Sequence, residues 1–255
     1  IETVLGGKLV NRTASAVTRT ELGAAILPHA QRILSVAQAA FSDMQQIVEA
    51  GGDGTVRIGL VPSVSSLLFP LLPQTLAEAF PRLRIEFHDQ TNDALILALQ
   101  RGEIDFGIGA IDSSLPAELL VYPLREDPFV AVLHRDDPLA AQAHLPWKQL
   151  VGRDIAVFSK GNIQRLVAAL VESHRLTLTT RYQVDYIETL YGLVRSRLAV
   201  AILPALYTTH LQDPALRVAH LQQPALARTV ALMRGPQALP PLIEDCFSLL
   251  QAALR

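Results

Sequence analysis

The sequence predicts an α/β protein of two similar units behind one long helix. Three observations carry this. Apolar residues recur at heptad spacing over residues 20–50, and the cluster Gly51-Gly52-Asp53-Gly54 then breaks the pattern. After it, short apolar strand patterns alternate twice with helical ones.

The helix starts at Thr20, whose hydroxyl can accept a first-turn N–H, and Glu21 suits the positive end of the helix dipole. Ile26, Ala30, Ile33, Ala37, Ala40, Met44 and Ile47 follow at spacings of 4, 3, 4, 3, 4 and 3, which is a heptad seam. At ~1.5 Å per residue the helix is about 45 Å long. Such a seam needs a partner. A second copy of this chain is the simplest one, and an amphipathic helix lying on its own domain is the alternative. Pro28 removes one backbone donor and should kink the helix.

Beyond the glycines, residues 56–61 read as a strand, 67–80 as a helix ended by Pro81, 83–88 as a strand, 93–101 as a helix and 106–111 as a strand. That order implies a parallel sheet. Residues 129–134 form another strand, followed by the turn Asp136-Asp137-Pro138-Leu139-Ala140. A second unit comprises strand 155–158, helix 163–174, strand 182–186, helix 188–197 and strand 199–203, closed by Pro204. Residues 216–221 and 229–233 read as strands, and 241–254 as a closing helix.

Composition narrows the function. Across 255 residues the net charge is −2, whereas a free-standing DNA-binding domain is usually strongly basic, so most of this chain is not a nucleic-acid surface. The single cysteine, Cys246, excludes an internal disulfide and fits a reducing cytoplasm. No leader or apolar run of ~20 residues is evident, so a cytoplasmic location without a membrane partner is expected. The histidines (His29, His88, His134, His144, His174, His210 and His220) show no ligand spacing. No nucleophile elbow, phosphate loop or dinucleotide turn occurs, and Asp136-Asp137 are adjacent turn residues rather than a catalytic pair. Neither metal nor cofactor nor enzymatic activity is expected.

Residues 9–34 carry Leu9, Arg12, Val17, Thr20-Glu21, Gly23 and Leu27-Pro28-His29-Ala30 ahead of Arg32-Ile33-Leu34. This stretch resembles the wing and first linker-helix turns of a LysR-type transcriptional regulator. The likeness continues through Val56-Arg57-Ile58-Gly59 with Ser63, Leu71-Leu72-Pro73, Phe80-Pro81, Leu99-Gln100-Arg101-Gly102-Glu103-Ile104-Asp105, Asp137-Pro138-Leu139-Ala140 and Val200-Ala201-Ile202-Leu203-Pro204. Each segment is weak alone, but the ordered set is specific. The resemblance implies two Rossmann-like lobes of periplasmic-binding-protein type behind a dimerisation helix. Residues 1–19 would then be the remnant of a winged helix-turn-helix whose greater part is missing here. Residues 20–50 would be the linker, 55–125 with 229–255 lobe I, and 126–228 lobe II. It further implies a small-molecule effector bound between the lobes, double-stranded DNA bound through the missing domain, and a homodimer or homotetramer. One departure is that Arg197 and Ala199 stand where the family often has glycines.

Candidate contacts follow from strand ends and helix starts, where ligands of open α/β sheets bind and free N–H groups favour anions. Ser63, Val64 and Ser65 lie at one such junction; their plain alternative role is to cap the helix. By resemblance Ser63 and Thr91 contact the effector. Asn92 shares the position of Thr91, and Ile111 could floor the cleft or simply pack in the core. Phe158, Ser159 and Lys160 form the matching loop of the second unit, where Lys160 could pair with a carboxylate or be a solvated surface charge. Phe129 sits near the crossing between lobes, where an aromatic could touch the ligand or simply seal the hinge. Arg12, favoured by the family pattern, and Arg19 could contact DNA phosphate. The competing readings are a solute-binding protein of a transport system, which shares the fold, and an enzyme built on it.

Overall fold

The computed structural model describes residues 1–13, 16–49, 54–112 and 115–254. A single helical turn, α1 (Glu2–Leu5), precedes a hairpin of β1 (Val10–Arg12) and β2 (Val17–Arg19), paired antiparallel. The long helix α2 (Glu21–Glu49) starts at Thr20 as expected. The Thr20 Oγ1 accepts from Gly23 N at 2.9 Å and donates to the Lys8 carbonyl at 2.7 Å. One hydroxyl therefore caps the helix and ties it to the chain entering the hairpin. Gly23 is required there by close approach, because a Cβ would lie 2.0 Å from the Leu9 carbonyl oxygen. The helix runs through Pro28 without ending. Of the heptad residues, Ile26 and Ala30 are half-buried, while Ile33, Ala37 and Met44 are exposed. The side chains of Ala40 and Ile47, like the glycine break at residues 51–53, lie outside the described residues.

The first lobe is built on β3 (Thr55–Leu60), with β4 (Arg84–Asp89) and β5 (Phe106–Ile111) parallel on either side. The helix expected over 67–80 is corrected to two single turns, α3 (Ser65–Leu68) and α4 (Leu76–Ala79), with a 3-10 turn at Leu72–Gln74 between them. Pro70 and Pro73 explain the break, since each removes a backbone donor and restricts the residue before it. Helix α5 (Asn92–Arg101) ends at Gly102, whose φ of 66° is left-handed and suits glycine. Just beyond, the Asp105 carboxylate accepts from Arg57 N at 2.6 Å, fastening the helix exit to β3.

Strand β6 (Leu120–His134) is more than twice the length expected, at 15 residues. Its first half pairs with β12 (Ala227–Arg234), and its second half with β10 (Val200–Pro204) and β11 (Leu216–Gln222). Strands β7 (His144–Pro146), β8 (Asp154–Phe158) and β9 (Thr179–Val184) complete the second lobe, with α6 (Asn162–Ser173) and α7 (Ile187–Arg195) packed on it. Edge to edge the main strands run β4-β3-β5-β12-β6-β10-β8-β9. The sheet is thus mixed rather than parallel throughout, because β12 and β6 enter antiparallel.

Two cores result. One gathers Ile58, Phe106, Ile108, Leu232 and Phe247; the other gathers Phe129, Val132, Trp147, Ile155, Val194 and Ile202. The final helix α8 (Pro241–Ala253) returns to the first core, where Phe247 meets Phe106 edge-on at 5.4 Å. Arg197 adopts a left-handed φ of 58° and pairs with Asp136.

The Gly23→Ala substitution should unseat the hairpin from α2. Amide exchange at Thr20, which donates to the Leu9 carbonyl at 3.1 Å, should speed up, while cooperative melting of residues 54–254 stays unchanged.

Candidate functional site

The carboxyl ends of β3, β4, β8 and β9 face a common cleft between the lobes. Val61, Pro62, Thr91 and Asn92 line one wall; Phe158, Ser159, Lys160, Gly161, Asn162, Ile163, Val184 and Asp185 line the other; Tyr207 and Arg228 complete it. It opens to solvent at its mouth, and its cavity volume is about 90 Å³. Two helix N-termini converge here, which makes the cleft electropositive without a net charge.

The two termini differ. At α5 the Thr91 hydroxyl accepts from Ala94 N at 3.4 Å, so one of its donors is already used. At α6 the capping position is Gly161, in the left-handed region at φ 89°, and no side chain caps the helix. Its first N–H groups are left for solvent or ligand. Beside them Asn162 is 4% exposed, and its amide Nδ2 has no hydrogen-bond partner. A buried unsatisfied donor costs about 1–3 kcal/mol, and an acceptor brought in by a ligand would recover it.

Beneath the cleft, Arg228 and Asp127 face each other on β12 and β6. Arg228 Nε and Nη2 donate to Asp127 Oδ2 at 3.0 and 2.9 Å, and both side chains are 1% exposed. The other Asp127 oxygen accepts from Leu206 N at 2.9 Å, and Arg228 Nη2 also reaches Ser63 Oγ. Tyr207 lies against Phe158 with ring centroids 5.2 Å apart, and burial pushes its hydroxyl up to about 12. At the outer wall the Asp185 carboxylate accepts from Ser159 and faces Lys160 at 3.6 Å; these hold it below the usual carboxylate range, Ser159 most.

A second ionic group bridges the lobes. Arg165 on α6 donates through Nη1 to Asp93 Oδ2 at 2.8 Å and through Nη2 to Asp93 Oδ1 at 2.7 Å, with Asp112 Oδ2 at 3.2 Å.

Of the residues singled out from sequence, Thr91, Asn92, Phe158, Ser159 and Lys160 meet at this cleft. The Asn92 side chain is largely committed to structure: it exchanges two bonds with the Ala110 backbone, at 2.7 and 3.0 Å. Ser63 and Ser65 instead line a neighbouring cavity with Asp89, Tyr191, Arg195 and Asp213, and Ser65 donates to the Pro62 carbonyl. Two expectations are corrected. Val64 and Phe129 are 0% exposed and belong to the two cores, so neither side chain can touch a bound molecule here. Ile111 is partly buried, pairs with Thr229 across the sheet and packs on the first core. Arg12 and Arg19 are exposed on the hairpin.

Sequence reasoning missed Asn162, Asp185, Tyr207, Arg228 and the Arg165 bridge. For Arg228 a signal existed: a charge next to the apolar run 229–233 asks for a buried partner. Arg228→Leu should cost about 3–5 kcal/mol in chemical denaturation, because it strands the Asp127 charge. Adding Asp127→Asn, which keeps an acceptor for Leu206 N, should recover most of that loss.

Known proteins resemble this chain along its length. The family model described as "LysR substrate binding domain" matches residues 49–255. The uncharacterized HTH-type transcriptional regulator YbhD of Escherichia coli (strain K12) is 27% identical over 245 residues, covering 95% of this chain and 77% of that protein. A hydrogen peroxide-inducible genes activator of Dickeya chrysanthemi is 27% identical over 207 residues, covering 81% and 67%. A full-length OxyR variant from Pseudomonas aeruginosa superimposes with a TM-score of 0.68 at 25% identity, covering 100% of this chain and 84% of that one. The two-lobed mixed sheet, the cleft between its lobes and the family match over residues 49–255 place this chain in the LysR family of transcriptional regulators.

Proposed function

We propose that this chain is the ligand-sensing and oligomerising portion of a LysR-type regulator, and that a small organic anion binds in the cleft between its lobes. The observation that carries this is the α6 terminus: uncapped, preceded by Gly161, and flanked by the buried unpartnered amide of Asn162. Lys160 contributes less than its charge suggests, because Asp185 offsets it. The helix ends and Asn162 favour the anion; Phe158 and Tyr207 suit a flat or apolar body. Binding drives a change of lobe arrangement only through different affinity for the two arrangements.

In this reading residues 55–125 with 229–255 form lobe I, and 126–228 form lobe II. Residues 20–50 dimerise, and 1–19 belong to a winged DNA-binding domain in which Arg12 and Arg19 touch phosphate. The exposed Ile33 and Met44 support the helix pairing. The setting is cytoplasmic; among the described residues no helix is long and apolar enough to cross a membrane. We assign no catalysis: the Ser63 hydroxyl is engaged by Arg228 rather than by a base. The relatives are regulators rather than transport proteins, which disfavours the solute-binding reading. A peroxide response is not carried over from the Dickeya relative. The lone Cys246 is buried on α8, and desolvation pushes its thiol up to about 11, which keeps it protonated and unreactive.

A thermal-shift screen of organic acids, amino acids and sugar phosphates tests the cleft. A ligand at about 100 times its Kd adds roughly 2.7 kcal/mol, a rise of several degrees. The rise should shrink in Thr91→Ala and disappear in Asn162→Ala; a rise unchanged in both would place the ligand elsewhere. Sedimentation tests the helix: the wild-type chain should dimerise and the Ile33→Asp/Met44→Asp variant should be a monomer. A monomeric wild type would remove the pairing role of α2.

A further inference from the structure

Among the described residues the two walls of the cleft are joined at two levels, the floor and the helix starts. At the floor the continuous strands β6 and β12 connect them covalently. At the first turns of α5 and α6 they are joined by Arg165, one turn beyond Asn162, which forks onto Asp93 at 2.8 and 2.7 Å and reaches Asp112 at 3.2 Å. The lobe I half of this group is fixed in place. Asp112 is 8% exposed at the side chain and accepts from Asn92 Nδ2 at 3.4 Å, while Asn92 grips Ala110 of β5. The planar guanidinium fork matches the Asp93 carboxylate, a geometry that holds direction as well as distance.

We propose that the Arg165–Asp93–Asp112 group is a latch that sets the resting width of the cleft. When two lobes turn about strands at the floor, bonds beside the hinge change little and bonds away from it must break. The Ser66 Oγ to Leu206 carbonyl bond at 3.3 Å stays with the floor, because Leu206 is tied to Asp127. The Arg165 fork joins the helices themselves. Its side chain and that of Asp93 are about half exposed, at 47% and 48%, so salt screens the pair. That makes a latch biasing the closed form several-fold, within reach of one bound small molecule. The latch regulates the cleft read above as a sensor, and its geometry stands whether or not a ligand is known.

The experiment is a distance measurement between lobes, with spin labels at Ala77→Cys on α4 and Ala169→Cys on α6, both exposed sites. Cys246 is fully buried and should take no label, which the wild-type chain checks directly. Arg165→Gln should lengthen or broaden the distribution by several ångström. Raising salt from about 0.05 M to about 1 M should do the same to wild type and little to the variant. Arg165→Asp with Asp93→Arg restores a pair and should return the distribution towards wild type. An unchanged distribution in Arg165→Gln at low salt overturns the latch. If labels do not move yet an anion still raises Tm, the latch fails and the sensor stands. If the lobes open while every anion leaves Tm flat, the latch stands and the sensor reading fails.

Discussion

The buried pair of Arg228 and Asp127 holds four segments of chain at one point. The two residues face each other across β12 and β6, the strands that pass between lobes. Asp127 also receives the backbone of Leu206 after β10, and Arg228 reaches Ser63 after β3. Taking two charges out of water costs several kcal/mol per ion, and mutual attraction offsets that only when the remaining donors and acceptors are filled. Here the Asp127 oxygens take three bonds from Arg228 and Leu206. An apolar pair of equal volume could pack as well at this crossing. It could not collect a loop from each lobe by direction. The floor of the cleft is therefore polar for the sake of register, and the Ser63 oxygen takes part in it by accepting from Arg228.

From that floor the rest of the site follows by sheet geometry. Parallel strands place their carboxyl ends, and the helix starts that follow, on one side. The result is two facing helix N-termini whose difference is chemical. The Thr91 hydroxyl satisfies a first-turn donor of α5, whereas Gly161 has no side chain to do the same for α6. The electrostatics sharpen this asymmetry. Lys160 and Asp185 neutralise each other at the outer wall, so what remains at α6 is a set of dipoles and an amide, which select an acceptor by direction rather than by net charge.

Sequence patterning revealed the fold wherever a segment's own residues decide its state. Strands β3, β5, β8 and β10 are apolar runs, and α2 announces itself by Thr20 and its heptads. It failed where partners decide. The first half of β6 carries no strand pattern, with Pro123, Glu126, Asp127 and Pro128, yet pairs along β12 with a register shift that absorbs the irregularity. Pro70 and Pro73 split a helical pattern whose apolar positions looked continuous. In the site, strand ends led to Thr91, Ser159 and Lys160, which line the cleft, because position along the sheet is local information. Which side chains face the cleft is not, and so Val64 and Phe129 went to the cores. Arg165 was invisible for the same reason: its partners, Asp93 and Asp112, lie far away in the chain.

Helix α5 links the cleft to the rest of the chain. Its first residues, Asn92 and Asp93, serve the β5 contact and the Arg165 bridge, and its body packs against α2. At the other end of α2, Thr20 and Gly23 clasp the hairpin that presents Arg12 and Arg19. Helices transmit displacement as stiff rods, so a shift of α5 relative to the second lobe is also a shift of the surface on which α2 rests. Farther along α2, Ile33 and Met44 are exposed. The hairpin and α5 thus meet on one rod, and their positions are coupled through α2.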